Sequence, residues 1–147
     1  MAAGSNGLDT NVLKLIFNAT NWASIADNTA TSPATVLYVS LHTADPTKTG
    51  NQTSSEATYT GYARVSVART TGGWTVSGST TATVSNAANI TFPLCTGGSN
   101  TLTFFGVGLA SSGTGTLLFS GALTSSLAVS NGITPNYNTG DLTITAD

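Results

Sequence analysis

Two runs of alternating residues, at 36–43 and 61–69, limit what this chain can fold into. A period of two belongs to a half-buried strand, whose successive side chains point to opposite faces. In the first run Leu37, Val39 and Leu41 share one face, and Val36, Tyr38, Ser40 and His42 share the other. In the second, Ala63, Val65 and Val67 oppose Tyr62, Arg64 and Ser66. The connection from Thr43 to Thr60 has no large aliphatic residue, so it reads as surface and not as core. Asp45-Pro46 and Gly50-Asn51 mark turns in it, with room for a short strand near Ala57 to Tyr59. Structureless connections of this length are uncommon and usually functional, which makes this one a candidate for intersubunit contact.

The rest of the chain repeats the strand-and-turn pattern. Strands are expected at 74–77, 81–84, 89–92, 101–110, 117–123, 127–130, 133–137 and 142–144, with the glycines at 106 and 108 signalling a bend or bulge. Leu102, Phe104 and Val107 are the expected core positions of the 101–110 strand. Thr71-Gly72-Gly73, Ser111–Gly115 and Asn131-Gly132 supply turns, Pro93 closes one strand and Pro135 implies an edge. About eight or nine short strands at spacings near ten residues describe an all-β sandwich, jelly roll or barrel. The exception lies near the N-terminus. Asp9, Thr10 or Asn11 could cap a short helix running to about Thr20, with Leu13, Phe17 and Trp22 near one face and Val12 and Ile16 beside it. Residues 1–35 therefore read as an arm, helix and loop, and 36–147 as the β-sandwich domain.

Only 7% of the residues are charged, against about 25% in ordinary domains. Lys14, Lys48, Arg64 and Arg69 are scattered, and the net charge is −2. No basic patch for nucleic acid can be built from them. A surface covered by hydroxyls and poor in charge does little to repel a neighbour, so a homo-oligomer, dimer or trimer, is expected. Cys95 alone cannot form an internal disulfide and fits assembly in a reducing cytoplasm. The N-terminus lacks the features of a secretory signal. No stretch approaches the roughly 20 apolar residues of a membrane span, so no membrane partner is expected.

The residues for catalysis are sparse. His42 and Asp45 are the nearest thing to a catalytic pair, yet one His and one Cys cannot complete a usual zinc site. Nothing resembles a nucleophile elbow, and the glycine runs lack the Lys of a phosphate loop. The six carboxylates mostly have cap or turn positions available. No catalytic residue, cofactor or metal is expected, and the chain reads as a non-enzyme. Interface chemistry is better represented. Tyr59, Tyr62 and Arg64 form an aromatic and cationic group of the kind enriched in binding hot spots. Val12, Leu13, Ile16, Phe17 and Trp22 offer more apolar surface than one packed stripe requires, suggesting a helix that docks on a partner subunit.

The block LYVSLHTADPTKTGNQTSSEATYTGYARVSV, Leu37 to Val67, resembles one shared by small virion proteins of tailed bacteriophages. These are often labelled tail-fibre-like, and some related proteins of this size are capsid decoration (cement) proteins. The likeness continues through GGWTVSG, ITFPLCTGGS, ASSGTGTLLFSGAL and NGITPNY. It implies a jelly-roll-like sandwich and a structural virion protein made in the bacterial cytoplasm. Such a protein would sit on the outer capsid surface and bridge copies of the major capsid protein. The alternative is a tail-fibre or host-recognition module that binds carbohydrate, with Trp22, Trp74, Tyr38 and Tyr137 as candidate contacts.

Overall fold

The computed structural model describes residues 6–21, 33–78 and 81–146. Trp22 lies outside them. Among the described residues there are one helix, α1 (Asn6–Asn18), and nine strands. The strands are β1 (Val36–His42), β2 (Val65–Ala68), β3 (Trp74–Ser77), β4 (Ala82–Asn86) and β5 (Ile90–Thr91), then β6 (Ser99–Gly108), β7 (Leu117–Ser130), β8 (Asn136–Tyr137) and β9 (Thr143–Ala146). The all-β class with one short N-terminal helix is as the residue pattern implies. The sheets have four strands in the order β2-β1-β6-β7, three in the order β3-β4-β9, and two, β5-β8.

The chain forms two compact units, each built from separate segments: 1–35, 68–89 and 137–147 make one, and 36–67 with 90–136 make the other. In the first, β4 lies antiparallel between β3 and β9. The helix packs on this sheet because Leu13 and Phe17, four residues apart, share a helical face. Both are buried, and the Phe17 ring meets Trp74 edge-on at a centroid distance of 4.9 Å. The helix starts earlier than its polar residues suggest, so Asp9, Thr10 and Asn11 lie inside it. Packing outweighs the modest cost of one glycine in its first turn.

It ends where Ala19 turns left-handed, at φ 51°, and the Thr20 N–H donates to the Lys14 carbonyl at 3.1 Å. Arg69 completes this end, its guanidinium donating to the carbonyls of Leu15 and Ile16. Those are among the groups a helix C-terminus leaves without partners. Arg69 therefore caps a helix.

In the second unit β6 lies antiparallel between β1 and β7. The apolar face of β1, Leu37, Val39 and Leu41, is buried as expected, together with Leu102, Phe105 and Val107 of β6. Phe104 is only half-buried and Phe105 takes the core place. The register shift between Leu102 and Phe104 changes the parity of the strand there. A second shift, between Val107 and Gly108, is the bulge that the glycines foretell.

Candidate functional site

The other face of β1 carries Ser40 and His42, and both are fully buried. The Thr43–Thr60 connection lies against His42 and is mostly exposed, as expected of a surface segment, but it also contributes buried residues. Pro46, Gln52, Ala57 and Tyr59 within it are buried. The segment folds back along β1: Thr43 N–H donates to Ser55 C=O at 2.8 Å and Ala57 N–H to Leu41 C=O at 2.8 Å. Polar residues can form such a layer because every group they bury finds a partner.

Arg64 and Glu56 anchor it. Arg64 Nε and Nη2 donate to Glu56 Oε1 and Oε2 at 2.6 and 2.8 Å, a two-pronged pair. Nη1 also donates to the Ala110 carbonyl at 2.9 Å and Nη2 to the Gly113 carbonyl at 2.8 Å. The Arg64 side chain is 2% exposed and that of Glu56 15%. The carboxylate beside it raises the Arg64 pKa above the ordinary value. Tyr62 joins through its hydroxyl, which donates to Glu56 Oε1 at 3.0 Å and accepts the Leu41 N–H at 3.1 Å. Burial pushes its pKa up. The ring stacks on Phe92 and meets Tyr59 edge-on. Tyr59 donates to the Pro93 carbonyl, and burial moves its pKa up to about 12.

Gln52 ties the connection to the β6–β7 loop. Its amide donates to the Ala110 carbonyl at 3.3 Å and accepts the Ala110 N–H at 2.9 Å, as a neighbouring strand would. Glycines on β6 leave space for these side chains. A Cβ at Gly108 would sit 2.3 Å from Gln52 Cδ, and one at Gly106 would sit 2.7 Å from His42 Nε2.

His42 does not pair with Asp45. Its Nδ1 lies 2.8 Å from the Ser54 carbonyl, which can only accept, so Nδ1 carries the proton and Nε2 accepts from Ser40 Oγ at 2.8 Å. Asp45 instead accepts the Thr47 N–H at 2.8 Å. Burial lowers the His42 pKa below 6.5, against an opposing contribution from the Ser54 carbonyl. The unfolded chain then takes up a proton below about pH 6.5 that the folded chain resists. Stability from this residue is complete above pH 6.5 and is lost as pH falls towards the lower folded-state value, by at most about 1.4 kcal/mol per pH unit. Urea unfolding across pH 5–7.5 should show this slope in the unmodified chain but not in His42→Gln.

Of the residues expected at an interface, Tyr59, Tyr62 and Arg64 do come together, but inward. Arg64 and Tyr59 are buried, and the guanidinium makes four hydrogen bonds within the unit. Leu13 and Phe17 are likewise withdrawn, Ile16 is half-buried and Val12 is 37% exposed. Trp74 is fully buried, which leaves it no face for a sugar, while Tyr38 and Tyr137 are half-buried. Gln52, Ser40 and Glu56 were not singled out by sequence reasoning, since polar residues in a long connection carry no mark of burial. The facing glycines at 106 and 108 are the one sign of something lying close above them.

Among the described residues, no three His, Cys, Asp or Glu side chains form a group that could hold a metal ion. No described helix is long and apolar enough to cross a membrane. An open groove of about 460 Å³ has Phe104, Leu117 and Phe119 among its apolar lining and Asp45, Thr47 and Lys48 among its polar lining.

Residues 3–145 match the family described as podophage GP4 fiber I protein gp80. No curated protein matches the chain.

Proposed function

Because the chain belongs to the podophage GP4 fiber I protein gp80 family, we propose that it acts as a non-enzymatic structural component of a fibre on a tailed-phage virion. The match over 3–145 carries this reading. The buried network supports it, since Arg64, Glu56, Tyr62, His42 and Gln52 use their chemistry to fix a long connection in one conformation. The groove whose lining includes Phe104, Phe119, Asp45 and Lys48 is where a host-surface sugar would seat.

A second reading places the protein on the outer capsid, bridging copies of the major capsid protein. It rests on the resemblance of Leu37–Val67 to a block shared by small tailed-phage virion proteins, some of whose relatives are cement proteins. There, each added contact would be intramolecular, and modest contacts would give strong retention. Particles made without the protein separate the two readings. A fibre component predicts a loss of adsorption with heat stability intact. A cement predicts heat-labile capsids with adsorption retained by survivors. Purified virions that contain none of the protein would refute both.

A further inference from the structure

The groove of about 460 Å³ is lined by two segments of one unit, the 45–50 turn and the start of β7, together with Phe104 of β6. Its volume falls in the range of roughly 300–1,000 Å³ usual for small-molecule sites. The turn is shaped in advance of any ligand. Pro46 is buried, Asp45 Oδ1 accepts the Thr47 N–H at 2.8 Å, and the Gly50 N–H donates to the Thr47 carbonyl at 3.2 Å. A Cβ at Gly50 would sit 1.8 Å from the Pro46 carbonyl oxygen, so only glycine closes the turn. Thr47 is held left-handed at φ 61°, a costly conformation for a β-branched residue. Strain of that kind is characteristic of ligand-binding segments.

The polar groups of the groove are of both kinds. Asp45 and Lys48 are exposed, and among the described residues they form no ion pair with one another. Asp45 gives one oxygen to Thr47, which leaves Oδ2 as an acceptor and the Lys48 ammonium as a donor. Phe104, Leu117 and Phe119 are half-buried and supply apolar surface beside them.

We propose, resting on the fibre reading above, that this groove holds a neutral hexopyranose of a host-surface glycan. Each sugar hydroxyl both donates and accepts, so two neighbouring hydroxyls can give a hydrogen to Asp45 and take one from Lys48. The C–H face of the ring is apolar and suits the aromatic and leucine side chains. A uronic acid would lose at Asp45 what it gains at Lys48, and an amino sugar the reverse, so a net charge brings no advantage.

Amide chemical shifts of the full chain test this, titrated with the methyl glycosides of glucose, galactose and mannose and with glucuronate and glucosamine. At least one neutral glycoside should shift 45–50 and 117–120 and bind more tightly than either charged sugar. Asp45→Asn keeps the oxygen that serves Thr47, and Lys48→Met keeps the stem. Each should weaken that binding roughly tenfold or more, since a hydrogen bond to a charged group is lost. No shift with any neutral glycoside, tighter binding of a charged sugar, or undiminished binding by either variant overturns the proposal.

Virions carrying both substitutions keep this site apart from the fibre reading. They should retain the protein and lose adsorption to the host. Purified lipopolysaccharide or exopolysaccharide, whichever blocks adsorption of unmodified virions, identifies the source of the sugar. Normal adsorption by the double variant overturns the sugar site alone, because the fibre reading is judged on particles that lack the protein.

Discussion

Replacing Arg64 with Met should destabilise the chain by about 3–5 kcal/mol, the usual cost of removing one partner from a buried ion pair. Methionine keeps the apolar stem but leaves the Glu56 carboxylate with the Tyr62 hydroxyl alone, the Ala110 carbonyl with the Gln52 amide alone, and the Gly113 carbonyl without the Arg64 donor. Arg64→Lys should fall between, because a single ammonium cannot reproduce a planar fork that serves a carboxylate and two carbonyls together. The double variant Arg64→Met/Glu56→Gln should recover part of the loss, since no unpaired carboxylate remains. Urea unfolding followed by far-ultraviolet circular dichroism gives the magnitude. Hydrogen exchange should show protection lost first in 43–60, the segment this network holds down. An Arg64→Met chain within 1 kcal/mol of the unmodified one, a bound set by the ordinary worth of a surface ion pair, would mean the network is dispensable.

Phe17→Ala should cost a comparable amount, about 3–5 kcal/mol for an aromatic removed from a core. The ring is fully buried and lies against Trp74, so Trp74 fluorescence should report the change directly. Val12→Ala, one turn earlier and 37% exposed, should change stability by no more than about 0.5 kcal/mol. The contrast separates two roles for the helix. If it serves the core of its own unit, Phe17 matters and Val12 does not. If it served mainly to dock a partner, truncation at Phe17 would weaken assembly and leave the Trp74 environment unchanged.

The strands were largely legible because their signal is local. VLYVSLH and WTVS announce β1 and β3 with nearly correct limits, and Pro93 stops β5 as expected. β7 reads as two strands, at 117–123 and 127–130, because Thr124 to Ser126 interrupt the apolar pattern. It is in fact one strand that absorbs the interruption as a register shift opposite Thr103. The same shift exchanges Phe104 for Phe105 in the core, and no periodicity within β6 alone reveals it.

The polar layer was illegible for a different reason. Composition assigns Ser40, His42, Gln52 and Arg64 to the outside, because burying a polar group without a partner is costly. Here the partners are backbone carbonyls of Ser54, Ala110 and Gly113, and only tertiary geometry supplies them. Glu56, Tyr62 and Arg64 lie within eight residues, yet nothing in their spacing says that they turn inward. The helix was visible as an amphipathic pattern. Its surplus of apolar residues suggested a partner, whereas Leu13 and Phe17 pack within the unit that contains β3 and β4.

The claim on which the account turns is that this chain is a structural part of a phage particle, placed at a fibre. Electron microscopy of purified virions, labelled with gold-conjugated antibody raised against the chain, addresses it most directly. The account predicts label on intact particles, concentrated at projecting fibres at fixed positions. Intact particles that stay unlabelled, while the lysate around them carries the protein, would contradict it.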